Sequence, residues 1–127
     1  MVKAPAIEKR FKIILELLNE ISSVANYFEI KLIKEGHMDD KKKTKTYLKM
    51  ISYSFISFSN RLEEFKDFFP EFSHNIEEIQ NNCRTLPNLT LSVMSIGIER
   101  LRSKLAFIRN DSNRLHDKMN IYAEETY

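Results

Sequence analysis

The sequence has very few of the residues that end helices and build turns. Its 127 residues include two glycines, three prolines and no tryptophan. Sheet proteins need many tight turns, which are built largely from Gly, Pro and Asn-Gly pairs, so this scarcity argues against a β-fold. The chain also contains a single cysteine, Cys83, which excludes a disulfide within it. A reducing compartment suits such a chain.

Large charge imbalance and long apolar runs are also missing. With 20 basic and 18 acidic residues the net charge is +2, which gives no general reason to expect nucleic acid or an anionic membrane as partner. No stretch approaches the ~18 apolar residues of a transmembrane helix, and residues 1–7 do not resemble a signal peptide. We therefore expect an intracellular protein, cytoplasmic or nuclear, that is not secreted.

What the sequence does have is an apolar pattern in which residues are spaced alternately four and three apart. Its first segment comprises Ile7, Phe11, Ile14, Leu18, Ile21, Ala25, Phe28 and Leu32. A second segment runs from Leu48 to Leu86, and a third from Leu91 to Tyr122 with Ser112 as its one polar member. This spacing places all members on one stripe of a helix, as in coiled coils. The stripes therefore predict the buried core.

The breaks in the pattern divide one domain, residues 1–127, into helices over about 6–35, 44–69, 71–84 and 90–123. At Pro70 two interpretations are open: the proline kinks one long helix, or it begins a new helix after a short turn. The unbroken phase of the pattern favours the kink. A further break is expected over 84–88, where Leu86 precedes Pro87. The predicted fold is all-α: an elongated antiparallel bundle of three long helices, or four if the middle one is split at Pro70.

Residues for metal or cofactor chemistry are sparse. The three histidines, His37, His74 and His116, lie in different segments, and no cysteine pair exists to complete a zinc site. Gly36 and Gly97 stand alone, so no glycine-rich phosphate loop is present. We therefore expect neither a metal nor a cofactor.

One local pattern suits catalysis. Arg109 is followed by a polar residue and precedes His116 by seven positions, which is two helical turns, so both share one side of a helix. This pattern resembles the Arg-polar-spacer-His signature of HEPN domains, all-helical proteins that are often ribonucleases. The resemblance implies that Arg109 holds a phosphate while His116 handles the proton of an RNA 2′-hydroxyl. The alternative is a charged flank exposed beside a packed seam.

Candidate partner-binding residues lie beside or off the stripes. Arg102, Arg109 and His116 form one flank of the last stripe, where charges often select coiled-coil partners. Apolar residues also lie off the stripes, and they either widen the core or form an exposed strip that marks a partner site. These residues are Leu17, Val24, Tyr47, Met50, Ile56, Phe68, Ile96 and Phe107.

Three functions remain open. The leading hypothesis is a non-catalytic helical-bundle or coiled-coil interaction module, a small subunit or adaptor that binds protein helices of its own kind or of another chain. The first alternative is a dimeric HEPN-like ribonuclease or toxin using Arg109 and His116. The second is a weak binder of nucleic acid or an anionic surface through the basic patch of Lys41, Lys42, Lys43 and Lys45.

Overall fold

The fold consists of four helices joined by short connections. A computed structural model describes residues 5–34, 41–96 and 98–126, with side chains over 7–32, 45–89 and 98–126. The elements are α1 (Pro5–Lys34), α2 (Lys41–Phe68), a 3-10 turn (Pro70–Phe72), α3 (Ser73–Ile96) and α4 (Ile98–Thr126). The described ranges contain no strand, so the all-α prediction is confirmed.

The four helices form an elongated antiparallel bundle in which each helix packs on the next one in the chain, and α1 closes the arrangement against α4. Ion pairs between residues far apart in sequence show which helices are neighbours. Arg109 of α4 binds Glu29 of α1, and Arg61 of α2 binds Glu20 of α1. The α1/α2 face and the α3/α4 face therefore lie on opposite sides of the bundle.

The chain reverses direction at Pro70. The side chain of Gln80 donates a hydrogen bond of 2.9 Å to the backbone oxygen of Ser59, which is possible only if α3 folds back along α2. Phe72 N–H donates to Phe69 O at 2.9 Å in the intervening turn. Of the two interpretations of Pro70, the structure shows the second: this proline separates two helices. The pattern stays in phase because both helices bury their stripe in the same core.

The expected break over 84–88 is wrong. α3 continues through Pro87 to Ile96, and α4 begins at Ile98. A proline inside a helix costs about 3 kcal/mol because it lacks the donor and crowds the preceding turn. Burial of Ile79, Cys83 and Leu86 on the preceding turns favours continuing the helix. The second predicted helix likewise starts earlier than expected, at Lys41.

The predicted stripes form the core. Leu18, Phe58 and Leu101, the three mid-helix members expected to be deeply buried, are almost fully enclosed. Every other member from Phe11 to Leu32, from Ile51 to Leu86 and from Leu101 to Met119 is buried too, whereas the side chains of Leu91 and Met94 lie outside the described residues. The polar Ser112 is buried with its apolar neighbours.

The off-stripe apolar residues divide into two groups. Leu17 is buried, and Val24 and Tyr47 are partly buried against the core, so these widen the stripe. A second group is exposed: Met50, Ile56, Phe68 and Phe107. The side chain of Ile96 lies outside the described residues. Over the described part of the chain, every helix is too short of apolar residues to cross a membrane.

Candidate functional site

Arg109 is held in a two-pronged ion pair between helices. Its Nε lies 2.6 Å from Glu29 Oε2 and its Nη2 donates to Glu29 Oε1 at 3.2 Å. The Glu29 side chain is 14% exposed and that of Arg109 33%. The hydrogen bonds to Glu29 raise the pKa of Arg109. The exposed-flank expectation is therefore wrong for Arg109, which joins α4 to α1.

The side chains of Arg102 and His116 on this flank are also largely buried. His116 Nδ1 lies 3.5 Å from the Asp117 carboxylate, and Arg102 Nη1 donates to Glu99 Oε1 at 2.7 Å. Arg109 and His116 thus share a side of α4, as the HEPN-like pattern requires. Arg109 must leave Glu29, however, before its guanidinium can bind a phosphate with the same donors. No group of three or more metal-ligating side chains occurs among the described residues.

A buried polar cluster between α2 and α3 was missed by sequence reasoning. Gln80 is fully buried and donates to both Ser59 O and a Glu63 carboxylate oxygen. Arg84 donates to Ser59 Oγ at 3.0 Å and to Glu63 Oε2 at 3.2 Å. Hydrogen bonds from Gln80 and then Lys66 lower the pKa of Glu63. The cluster fixes the register of α2 against α3, which is a structural role.

A groove of about 360 Å³ lies between the C-terminal half of α3 and the N-terminal half of α4. Its α4 side presents two cations and an aromatic ring, and Phe107 is 62% exposed. Lys104 Nζ donates to Asn82 Oδ1 at 2.9 Å. The lining residues are Thr85, Asn88, Leu89, Arg100, Ser103, Lys104 and Phe107. Of the predicted partner-binding residues whose side chains are described, Phe107 alone lines this groove.

A second exposed surface, the α1/α2 outer face, is formed by Tyr27, Met50, Tyr53 and Ile56. All four side chains are exposed, and Tyr53 is the most open at 77%. The antiparallel register set by the Arg61–Glu20 pair places Tyr27 of α1 opposite Met50 and Tyr53 of α2. Tyr53 is one turn from both Met50 and Ile56. The strip therefore crosses the outer surface of α2 from the α1 side towards the α3 side, where Ile56 lies two turns before Glu63.

The two sequence segments that form this face contain no charged residue. Residues 21–28 and 50–60 contain no Asp, Glu, Lys or Arg, although 30% of the chain is charged. Charge borders the face: Lys31 Nζ lies 5.7 Å from the centre of the Tyr27 ring, and the exposed Lys49 precedes Tyr53 by one turn of α2. Sequence reasoning singled out Met50 and Ile56 but missed Tyr27 and Tyr53, which lie off the apolar rhythm.

Only one lysine of the basic patch has a described side chain. The side chains of Lys41, Lys42 and Lys43 lie outside the described residues, and Lys45 is exposed near the start of α2. The patch and both exposed surfaces lie at the same end of the bundle, where α2 and α4 begin.

Comparison with known proteins assigns neither a family nor a function to this chain. No family model, no curated protein and no solved structure matches this chain.

Proposed function

We propose that this protein is a non-catalytic helical-bundle module that binds other helices through the α1/α2 outer face, as a small subunit or adaptor of a larger assembly. One observation carries the proposal: apolar and aromatic side chains are exposed together on a face whose centre lacks charge, outside a core that the stripes already fill. Exposed apolar patches on a water-facing protein usually mark interaction sites.

The composition of the face suits a protein interface. Tyr and Met are enriched at the centres of interfaces, whereas Lys, Glu and Asp are depleted there. The side chains of Tyr53 and Tyr27 combine a polar hydroxyl group with a large apolar ring. The hydroxyl group is hydrated in the free protein, and the ring buries a large area when a partner binds. Truncation of such aromatic residues typically weakens association strongly.

The lack of charge at the centre of the face restricts the kind of partner surface that can bind there. A charged partner surface would lose its hydration against this face without gaining an ion pair, which is unfavourable. An uncharged helical face avoids that cost. A second copy of this chain offers such a face, and so does an apolar stripe on a different helical protein.

Sedimentation velocity at micromolar concentration, combined with a search for co-purifying chains, tests the proposal. We expect the wild type to self-associate or to retain a helical partner, and the double variant Met50→Glu/Tyr53→Glu to lose that association. Ile121→Glu is the matched control, because Ile121 is exposed near the opposite end of the bundle. A wild type that remains monomeric at ~100 μM and retains no partner would contradict the proposal.

The two alternatives have direct assays. We expect no RNA cleavage by the pure protein; cleavage that His116→Ala abolishes would replace the interaction module with the ribonuclease hypothesis. Binding through the Lys41–Lys45 patch would weaken steeply with salt, whereas apolar association would not. We propose that the protein is intracellular, since a chain with a single cysteine and no internal disulfide suits a reducing compartment.

A further inference from the structure

The groove between α3 and α4 contains an arginine that no described carboxylate neutralises. The sequence has seven arginines, and all lie among the described side chains. Six of them lie 2.6–4.0 Å from a carboxylate of the chain. Among the described side chains Arg100 alone has no such partner, and it lines the groove.

A second cation reinforces this positive site. Lys104 lies one turn after Arg100 on the same face of α4, and its hydrogen-bond partner Asn82 is neutral. The sequence contains no Asp or Glu from 85 to 98. The nearest carboxylate in sequence, Glu99, is paired with Arg102 at 2.7 Å. Among the described side chains, the groove therefore carries two positive charges without a matching acid.

An aromatic ring lies next along the same face. Phe107 follows Lys104 by three positions and Arg100 by seven, so the three side chains form one row along the groove. More than half of the Phe107 side chain is open to solvent. A free aromatic face stacks readily on another planar ring.

We propose that this groove binds a small phosphomonoester that carries a planar aromatic ring. A phosphomonoester carries about −1.5 to −2 charges at neutral pH, which balances Arg100 and Lys104 better than a single carboxylate would. The Arg100 guanidinium donates two parallel hydrogen bonds to the phosphate, Lys104 adds a point charge, and the ligand ring stacks on Phe107. The hydroxyl of Ser103 lines the same wall.

Size and position agree with this ligand. A volume of about 360 Å³ falls at the small end of the range for ligand pockets, roughly 300–1,000 Å³. Arg100 also lies in the first turn of α4, where the helix dipole favours an anion. The groove lies on the face opposite the α1/α2 outer face, so the proposal does not depend on the interaction module.

Calorimetric titration of the full chain with adenosine monophosphate and with phenyl phosphate tests the proposal, and the two probes distinguish a nucleotide from a simple aryl phosphate. Inorganic phosphate and adenosine are the comparison ligands. We expect at least one aromatic phosphomonoester to bind saturably, about tenfold or more tightly than either comparison ligand. No binding of either phosphomonoester at ~10 mM, or equal binding of inorganic phosphate, would overturn the proposal.

Variants then locate the site. Arg100→Ala should weaken binding about tenfold or more, and Phe107→Leu should weaken it about fivefold or more because leucine cannot stack. Phe107→Tyr should restore binding. Arg114→Ala is the matched control, because Arg114 is an exposed arginine of the same helix far from the groove. Circular dichroism verifies folding, and unchanged affinity in folded Arg100→Ala and Phe107→Leu would refute this location.

Discussion

Replacing Arg109 by methionine should destabilise the bundle, although a charged residue on a helix flank usually tolerates substitution. Methionine keeps most of the apolar stem and removes the guanidinium. Glu29 then keeps a largely buried carboxylate without its two donors. An acceptor left unpaired in this way costs about 1–3 kcal/mol. Because a third of the Arg109 side chain reaches water, we expect the lower part of that range, about 1–2 kcal/mol.

A double-mutant cycle measures the pair itself. Urea unfolding followed by circular dichroism should be done on Arg109→Met, Glu29→Gln and the double variant. We expect a coupling energy of about 1 kcal/mol and a smaller loss in the double variant than the sum of the single losses. Arg114→Met is the matched control and should change stability by less than about 0.5 kcal/mol, because the Arg114 side chain is 80% exposed and its Nη1 lies 4.0 Å from the Asp111 carboxylate. Zero coupling would refute the paired geometry and would leave Arg109 free to hold a phosphate.

Three further predictions concern the core and its edges. Leu18→Ala, Phe58→Ala and Leu101→Ala should each cost about 2–5 kcal/mol in chemical denaturation, because each removes a side chain packed on all sides; tolerance of Asp at all three positions would contradict the assigned core. Burial raises the pKa of Cys83 to about 12, so the folded protein should resist thiol alkylation at pH 8 and react only on unfolding; rapid labelling of the native state would refute that burial. Hydrogen bonds lower the pKa of Glu63 below its usual 4.5. This carboxylate therefore stabilises the fold above pH 4.5 and loses its effect as the pH falls through the lowered pKa. Glu63→Gln should make the free energy of unfolding fall less steeply at acid pH, and an unchanged slope would count against the cluster.

The apolar spacing was enough to predict the helices and their buried stripes. Helix geometry alone sets the spacing of buried residues such as Phe11, Leu18 and Phe58. Their burial can therefore be predicted without knowing which helix packs against them. The course of the chain at its prolines was less predictable. Pro70 permits a kink or a reversal, and the choice depends on whether α3 has a partner to pack on. Pro87 is tolerated inside α3 because packing outweighs its local cost.

The sites were harder to predict because they depend on pairs of residues distant in sequence. Arg109 looks exposed in the sequence, since Glu29 lies 80 positions earlier. Gln80 follows the stripe residue Ile79, and nothing in the spacing indicates that Ser59 accepts its hydrogen bond. The unpaired state of Arg100 likewise appears only when the other arginines are seen with their partners. Phe107 was one of the off-stripe apolar residues expected either to widen the core or to lie exposed, and only the packing of the helices decides between the two.

The most direct test of the central claim is residue-resolved NMR of the wild type over a concentration series, or with its co-purified partner added. The interaction module predicts that the amide signals of Tyr27, Met50, Tyr53 and Ile56 shift or broaden on association. Signals from the opposite end of the bundle, such as that of Ile121, should stay unchanged. Association that perturbs Ile121 and leaves the α1/α2 outer face unaffected would contradict the account.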